Sequence, residues 1–198
     1  RVMAMSYDYM VLAGTQGKMN HAKKDRMFEI AEKNKLPTIL FAEGGGGRPG
    51  DTDAMGVAGL NCHAFTYFAQ LSGLVPLVGI TTGRCFAGNA VLLGCCDVII
   101  ATDDSNIGVG GPAMIESGGL GVFTPDEVGP MDVQVSNGVV DVAVKDEEEA
   151  VEVGEAIVSM RAKLKGERRS RWERGELMLE DGPMTARKVP TWGRLVED

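Results

Sequence analysis

Short apolar strands that run into glycine-rich turns constrain this chain more than any other feature of its sequence. Thr38–Ala42, Val75–Ile80 and Val98–Ala101 read as buried strands, and segments with helical patterns separate them. Continuous apolar strands that alternate with helices are typical of a mainly parallel sheet with both faces covered. The sequence therefore predicts an α/β fold.

The rest of the chain adds further elements around this sheet. Val2–Met5 and Tyr9–Ala13 read as two more short strands. A helix is predicted over Asn20–Asn34, with Asn20 as its N-cap. Its residues predicted to face the core are Ala22, Met27, Ile30 and Ala31. Further elements are predicted as helices over Thr52–Leu71, Gly88–Cys96 and Asp146–Lys165, with strands at Ile107–Gly111 and Val139–Val144.

The chain is expected to hold one folded domain and one arm. Its 198 residues suit a single domain, which we place at residues 1–165. Residues 166–198 are rich in charge of both signs and show little periodicity, which predicts a charged C-terminal arm or linker.

Charge and composition exclude several classes of protein. A formal net charge of −8 argues against nucleic-acid binding, although a basic island stands out on this acidic chain. The apolar runs are far shorter than a membrane-spanning helix requires. The four cysteines show no zinc-binding pairing, so no metal is expected. With no visible signal peptide, these features predict a reduced, cytoplasmic protein. The island consists of Lys18, Lys23, Lys24, Arg26, Lys33 and Lys35.

Three glycine-rich turns carry the chemistry that the sequence suggests. They lie at Glu43–Gly50, Gly83–Ala90 and Gly108–Pro112. In a parallel sheet such turns gather at one edge, where ligands bind. Glycine lets a substrate approach the main chain, and free N–H groups there stabilise an oxygen that becomes negative during reaction. Each turn alone could be only a tight connection, but the three together favour a site for a thioester enolate.

Side-chain catalysis of the familiar kinds fits the sequence poorly. His21 and His63 lie in no zinc-binding or nucleophile-activating pattern, and His63 is expected to pack inside an apolar helix. The phosphate-binding loop of nucleotide hydrolases and the nucleophile elbow of α/β-hydrolases are both absent. Cys85 lies in the second turn without a neighbour in sequence that would lower its pKa, so we expect a buried thiol.

Four segments together resemble the carboxyltransferase subunits of acetyl-CoA and propionyl-CoA carboxylases. They are the helix region Ala13–Lys33, the first glycine turn in Leu36–Asp53, the turn, helix and strand of Gly83–Ala101, and the third turn in Ile107–Glu116. Order and spacing match over residues 1–153. The resemblance implies a crotonase-like spiral of β-β-α units, related in fold to caseinolytic proteases.

The resemblance also implies where the site residues lie. The turn with Ala87, Gly88 and Asn89 would supply backbone amides of an oxyanion hole, with Asn89 in place of the small residue usual there. The protease relative has its nucleophilic serine where this chain has Ala87, so hydrolysis by that route is not expected. Residues matching the family's acyl-CoA site are Lys23, Lys24, Gly45, Gly46, Gly47, Arg48, Gly110, Gly111 and Pro112.

The reaction that the resemblance implies is transfer of a carboxyl group from carboxybiotin to the α-carbon of acetyl- or propionyl-CoA. Its cofactor would be biotin on a carrier protein, with coenzyme A as part of the substrate. The expected partners are a second, C-terminal carboxyltransferase half, the biotin carrier protein and biotin carboxylase, in a homo- or hetero-oligomer. The chain lacks the zinc ribbon of the bacterial β subunit, so it resembles the propionyl-type or fused enzymes more.

Three alternatives stay open from the sequence. A biotin-dependent acyl-CoA decarboxylase would run the same half-reaction in reverse. A hydratase or isomerase of the crotonase type would need acidic residues near the turns, for which Glu43 and Glu116 are available. A non-catalytic scaffold that binds coenzyme A or the biotin carrier would explain an isolated half-site.

Overall fold

A parallel five-stranded sheet forms the centre of the protein, in a computed structural model that describes residues 1–48 and 62–159. The strand order is β1-β2-β3-β5-β7, and every neighbouring pair is parallel. The α/β class predicted from the sequence is confirmed. The strands are β1 (Met3–Ser6), β2 (Thr38–Phe41), β3 (Leu77–Thr81), β5 (Val98–Thr102) and β7 (Val142–Val144).

A second layer of short strands lies beside the main sheet. β4 (Arg84–Phe86) pairs in parallel with β6 (Asn106–Gly108), and Cys85 of β4 also bridges to Gly44. Two of the main strands, β3 and β5, are each followed by a short strand of this layer and then by a helix. That repeat is the predicted β-β-α spiral. The three-residue β4 was not predicted, because a strand so short shows no measurable periodicity.

Helices surround the sheet, and their bounds follow the apolar pattern closely. α3 begins at the predicted residue and ends two residues early, whereas the short helices α4 and α5 were not predicted. Parts of the predicted helices Thr52–Leu71 and Asp146–Lys165, and the predicted arm at residues 166–198, lie outside the described residues. The helices are α1 (Lys18–Asn34), α2 (Ala64–Gln70), α3 (Gly88–Gly94), α4 (Pro112–Ser117), α5 (Met131–Ser136) and α6 (147–159).

Strand alternation divides the core between the two faces of the main sheet. Ile99 packs in the cluster that contains the α1 to α3 helices, while its neighbour Ile100 packs in the cluster beneath α6. In the first cluster the rings of Phe28 and Phe68 lie 4.7 Å apart and join α1 to α2. Each fully buried side chain of this size contributes roughly 1.5–3 kcal/mol.

The strand predicted over Tyr9–Ala13 is wrong. Leu12, Ala13 and Gly14 have φ angles of 49°, 55° and 63°, which strands do not contain. Asp8 closes a turn instead, because its side chain and its carbonyl accept the N–H groups that follow it. This left-handed stretch brings the chain back beside the first glycine turn.

Helix α1 begins at Lys18, two residues before the predicted start, and its N-cap is Gly17 rather than Asn20. Asn20 lies inside the first turn of the helix, where its side chain caps no backbone group. The helix ends as predicted at Asn34.

The buried face of α1 differs in part from the predicted one. Ala31 is buried and Met27 packs against the core, as expected. Ala22 is exposed, so its prediction is wrong. The face instead includes Phe28 and, unexpectedly, the lysine Lys24, of which 6% is exposed.

No helix within residues 1–48 and 62–159 is long and apolar enough to cross a membrane.

Candidate functional site

The second glycine turn contains a strained residue directly before two backbone amides that have no acceptor among the described residues. Ala87, between β4 and α3, has φ 51° and ψ −124°, a conformation that costs a non-glycine residue of order 1–3 kcal/mol. Its own N–H donates to the carbonyl of Gly108 at 2.9 Å. The next two N–H groups, of Gly88 and Asn89, have no acceptor among the described residues. Of the three amides expected from the sequence, these two are unbonded in the described part of the chain, where Gly88 is half-buried and Asn89 is buried.

The first glycine turn lies directly against the second. A Cβ atom on Gly46 would lie 2.4 Å from the Cβ of Ala87 and 3.2 Å from the nitrogen of Gly88. A Cβ on Gly44 would lie 2.4 Å from the side-chain nitrogen of Asn89. Both glycines also have positive φ, 151° and 88°. Only glycine lets the two turns approach this closely.

Most amides of the first turn are already bonded. This leaves the N–H of Gly47 without an acceptor in the described part of the chain, and a Cβ there would contact nothing described within 4 Å. The bonded amides are those of Gly44 to the Arg84 carbonyl at 2.9 Å, Gly45 to the Ala13 carbonyl at 3.0 Å, Gly46 to the Asn89 Oδ1 at 3.0 Å, and Arg48 to the Gln16 carbonyl at 3.0 Å.

The third glycine turn completes the same edge of the protein. Gly108 accepts the Ala87 N–H, and a Cβ on Gly111 would lie 3.6 Å from the ring of Phe86. Pro112 follows as the first residue of α4, where its missing N–H costs nothing. The structure thus brings the three predicted turns together.

A cavity of about 410 Å³ opens beside the first of these turns, between β1, the segment after it and the start of α1, and no residue of the second or third turn lines it. It contains three basic side chains of the predicted acyl-CoA site. Arg48 is fixed by donating to the hydroxyl (3.0 Å) and the carbonyl (2.7 Å) of Thr15, whereas Lys23 is exposed. The residues that line the cavity are Ala4, Met5, Ser6, Tyr7, Asp8, Val11, Gly14, Thr15, Asn20, Lys23, Lys24, Met27, Leu40 and Arg48.

Lys24 differs from the other lysines of the basic island because it is buried. Its Nζ donates to the Tyr7 hydroxyl at 2.9 Å and to the Gln16 Oε1 at 2.6 Å. Burial lowers the pKa of Lys24 from 10.5 to about 8, and burial raises the pKa of Tyr7 above its ordinary range. Lys24 is therefore a member of a polar network as well as a wall of the cavity.

The side chains of Gln16 and Asn89 are the site residues that the sequence reasoning missed. Gln16 Nε2 donates to Asn89 Oδ1 at 2.8 Å, and both side chains are buried. Residues 16 and 89 lie far apart in the chain, so no local pattern could have paired them. The one available signal was a polar residue at the start of a helix whose other residues are apolar.

Neither acidic residue available for a hydratase lies free at these turns. The carboxylate of Glu43 accepts the N–H of Thr82 at 2.8 Å and also its hydroxyl. Glu116 is exposed on α4. The geometry thus favours chemistry by backbone amides over chemistry by a carboxylate.

Cys85 is a buried thiol, as expected. None of it is exposed, its Sγ donates to the Ala42 carbonyl at 3.2 Å, and burial raises its pKa well above the ordinary value. A thiol in this state is a poor nucleophile.

The main sheet, the short second layer and the two unbonded amides at the start of α3 define the class of this protein as a crotonase-like α/β domain. Comparison with known families then gives the particular family. The chain matches the carboxyl transferase domain family over residues 1–179 and belongs to that family.

Known relatives agree with this assignment. The methylmalonyl-CoA carboxyltransferase 12S subunit of Propionibacterium freudenreichii subsp. shermanii is 27% identical over 161 residues, covering 80% of this chain and 30% of that protein. A single-chain, multi-domain long-chain acyl-CoA carboxylase is 60% identical, with a TM-score of 0.74, over 79% of this chain and 15% of the other.

One solved structure shows the fold in a shorter subunit. It is the Pseudomonas malonate decarboxylase MdcD–MdcE heterodimer, 23% identical with a TM-score of 0.62, over 81% of this chain and 70% of the other. The chain spans about 30% of the length of the carboxyltransferase subunit and less of the single-chain carboxylase.

Proposed function

We propose that this chain is the N-terminal half of a carboxyltransferase that moves a carboxyl group between carboxybiotin and the α-carbon of an acyl-CoA. The observation that carries the proposal is the pair of amides at Gly88 and Asn89, directly after the strained Ala87, that have no acceptor among the described residues. Membership of the carboxyl transferase domain family supports it.

The two amides would bind the thioester oxygen of the acyl-CoA. Removal of the α-proton turns this oxygen into an enolate oxygen, and donors already in place stabilise it without reorganising. Neighbouring amides suit this role because both donate to one oxygen. The loss of one such donor in other enzymes costs about 3 kcal/mol.

The basic cavity would receive the phosphates of coenzyme A. The fixed guanidinium of Arg48 and the exposed ammonium of Lys23 provide positive charge on an acidic chain. Lys24 adds positive charge to the wall of the cavity without contacting the phosphates, because its ammonium donates to Tyr7 and Gln16.

Biotin would be bound elsewhere. It supplies the carboxyl group, and its ureido oxygen needs donors of its own, whereas the amides of Gly88 and Asn89 serve the acyl oxygen. The resemblance assigns that second site to the other crotonase-like domain. The residues of this chain therefore fit the acyl-CoA and leave biotin to a C-terminal half, with a biotin carrier protein and biotin carboxylase as further partners.

A long-chain acyl-CoA is the substrate that we favour over acetyl- or propionyl-CoA. The 60% identity to a long-chain acyl-CoA carboxylase supports this choice. The decarboxylase alternative rests on a likeness at 23% identity, which speaks for the fold alone.

Carboxyl transfer to free biotin tests the proposal. Malonyl-CoA, methylmalonyl-CoA and a long-chain alkylmalonyl-CoA are offered as donors, to this chain alone and then with a C-terminal carboxyltransferase half. We expect carboxybiotin only in the mixture, fastest with the long-chain donor. Equal rates with malonyl-CoA would overturn the chain-length choice, and failure of every mixture that binds acyl-CoA would overturn the function.

A further inference from the structure

Asn89 stands out as a fully buried amide whose hydrogen-bonding capacity is entirely used. Its Nδ2 donates to the carbonyls of Ala42 and Glu43, both at 3.1 Å. Its Oδ1 accepts the N–H of Gly46 at 3.0 Å and the Nε2 of Gln16 at 2.8 Å. One side chain thus joins the start of α3 to the first glycine turn and to the segment before α1.

Hydrogen bonds from Lys24 to Gln16 and from Gln16 to Asn89 fix the orientation of the Asn89 amide. The Lys24 ammonium can only donate, so the amide of Gln16 must turn its oxygen to Lys24 and its nitrogen to Asn89. Asn89 must then present Oδ1 to Gln16 and Gly46, which leaves Nδ2 for the two carbonyls. The ammonium of Lys24 makes no ion pair within residues 1–48 and 62–159, so its bonding is to neutral groups.

The backbone of Asn89 belongs to the amide pair of the proposed site. The side chain that leaves this same residue holds Gly46, whose Cα lies against Ala87 and Gly88. A shift of the first glycine turn would therefore move the neighbouring amides. Misplacement of about 1 Å at such a site can lower a rate 10²-fold.

We propose that the Asn89 side chain, oriented by Gln16 and Lys24, is a positioning device for the acyl-CoA amides, a role that rests on the proposed function. It is not a catalytic group, since it is buried and bonded to protein atoms on every side. It sets the distance between the first and second glycine turns. Gln16 and Lys24 act through it.

Replacement of Asn89 by alanine tests this role in the assembled carboxyltransferase. Asn89→Ala removes all four bonds but leaves the backbone amide in place. We expect kcat to fall about 10- to 100-fold while KM for acyl-CoA changes less than about 3-fold, because Arg48, which we propose to bind the coenzyme phosphates, is held by Thr15 rather than by Asn89. Asn34→Ala is the matched control, since among residues 1–48 and 62–159 the Asn34 side chain bonds only to the Ile30 carbonyl, on the exposed end of α1.

Gln16→Met serves as a milder variant, and as the main one where Asn89→Ala does not fold. It removes the link between Lys24 and Asn89, and we expect a smaller loss of kcat. We expect the double variant Gln16→Met/Asn89→Ala to lose as much kcat as Asn89→Ala alone, because Gln16 acts only through Asn89. Additive losses, or a normal kcat in folded single variants, would overturn the proposal.

Amide hydrogen exchange gives a readout that does not need activity. We expect Gly46 to exchange faster in Asn89→Ala and in Gln16→Met, with strands β3 and β5 unchanged. Unchanged exchange at Gly46 in both variants would overturn the coupling of the turns whatever the activity. If the wild-type protein transferred no carboxyl group while Gly46 exchanged faster in both variants, the proposed function would be overturned and the coupling of the turns would stand.

Discussion

At the scale of single residues, Lys24 shows how burial alters an ordinary group. Its pKa of about 8 means that between pH 8 and 10.5 the folded protein carries a neutral Lys24 while the unfolded chain keeps its ammonium. The unfolded state then binds more protons, so raising the pH through this interval favours folding. Below pH 8 Lys24 is charged in both states, and the full cost of burying its ammonium lowers the free energy of unfolding.

Replacing Lys24 by methionine should reveal this contribution. We expect the unfolding free energy of wild type, relative to Lys24→Met, to rise between pH 8 and 10.5, by up to about 3 kcal/mol. The buried thiols titrate in both proteins and cancel in the difference. Urea unfolding across this pH range measures it, and a difference that stays flat with pH would contradict the lowered pKa.

At the scale of elements, the contact between the first two glycine turns is the tightest constraint on the site. Gly46 touches Ala87 where no side chain fits, while the adjacent Gly47 faces open space within the described residues. The two glycines therefore form a natural comparison, with the same substitution one residue apart.

Gly46→Ala should destabilise the protein by about 2 kcal/mol or more, because its Cβ meets Ala87 and its φ of 88° is strained for alanine. Gly47→Ala, the matched control, should change the unfolding free energy by about 0.5 kcal/mol or less. Denaturant titration of both variants measures this. Similar values for the two would mean that the turns do not touch as described.

The sequence predicted those elements whose own residue pattern is enough to specify a strand or a helix. β2, β3 and β5 are continuous apolar runs, and they lie where they were predicted. The segment Tyr9–Ala13 was predicted as a strand because it carries strand-favouring residues in an alternating pattern, yet three successive positive φ angles turn the chain back. β6 (Asn106–Gly108) overlaps the strand predicted at Ile107–Gly111, whereas the three-residue β4 depends on its pairing with β6 and not on a pattern of its own.

At the scale of the whole molecule, the site is a meeting of segments distant in sequence. Its three glycine turns were predictable, since each is a local motif at the end of a strand. The network of Lys24, Gln16 and Asn89 was not, because the Gln16 to Asn89 bond spans 73 residues. Such a bond follows from the stacking of turns that only the complete fold produces.

The central claim is that the Gly88 amide stabilises the enolate, and one comparison tests it most directly. Gly88→Val adds a branched side chain next to this amide, with its Cβ 3.4 Å from the Gln16 Nε2 and from the ring of Phe65. Gly94→Val, at the other end of α3, adds a Cβ with no described neighbour within 4 Å. Both variants are assembled with the C-terminal half and assayed for carboxyl transfer from acyl-CoA to biotin. We predict that Gly88→Val lowers kcat about 10²-fold or more and that Gly94→Val changes it less than about 2-fold. A Gly88→Val enzyme that transfers carboxyl groups at the wild-type rate would contradict the account.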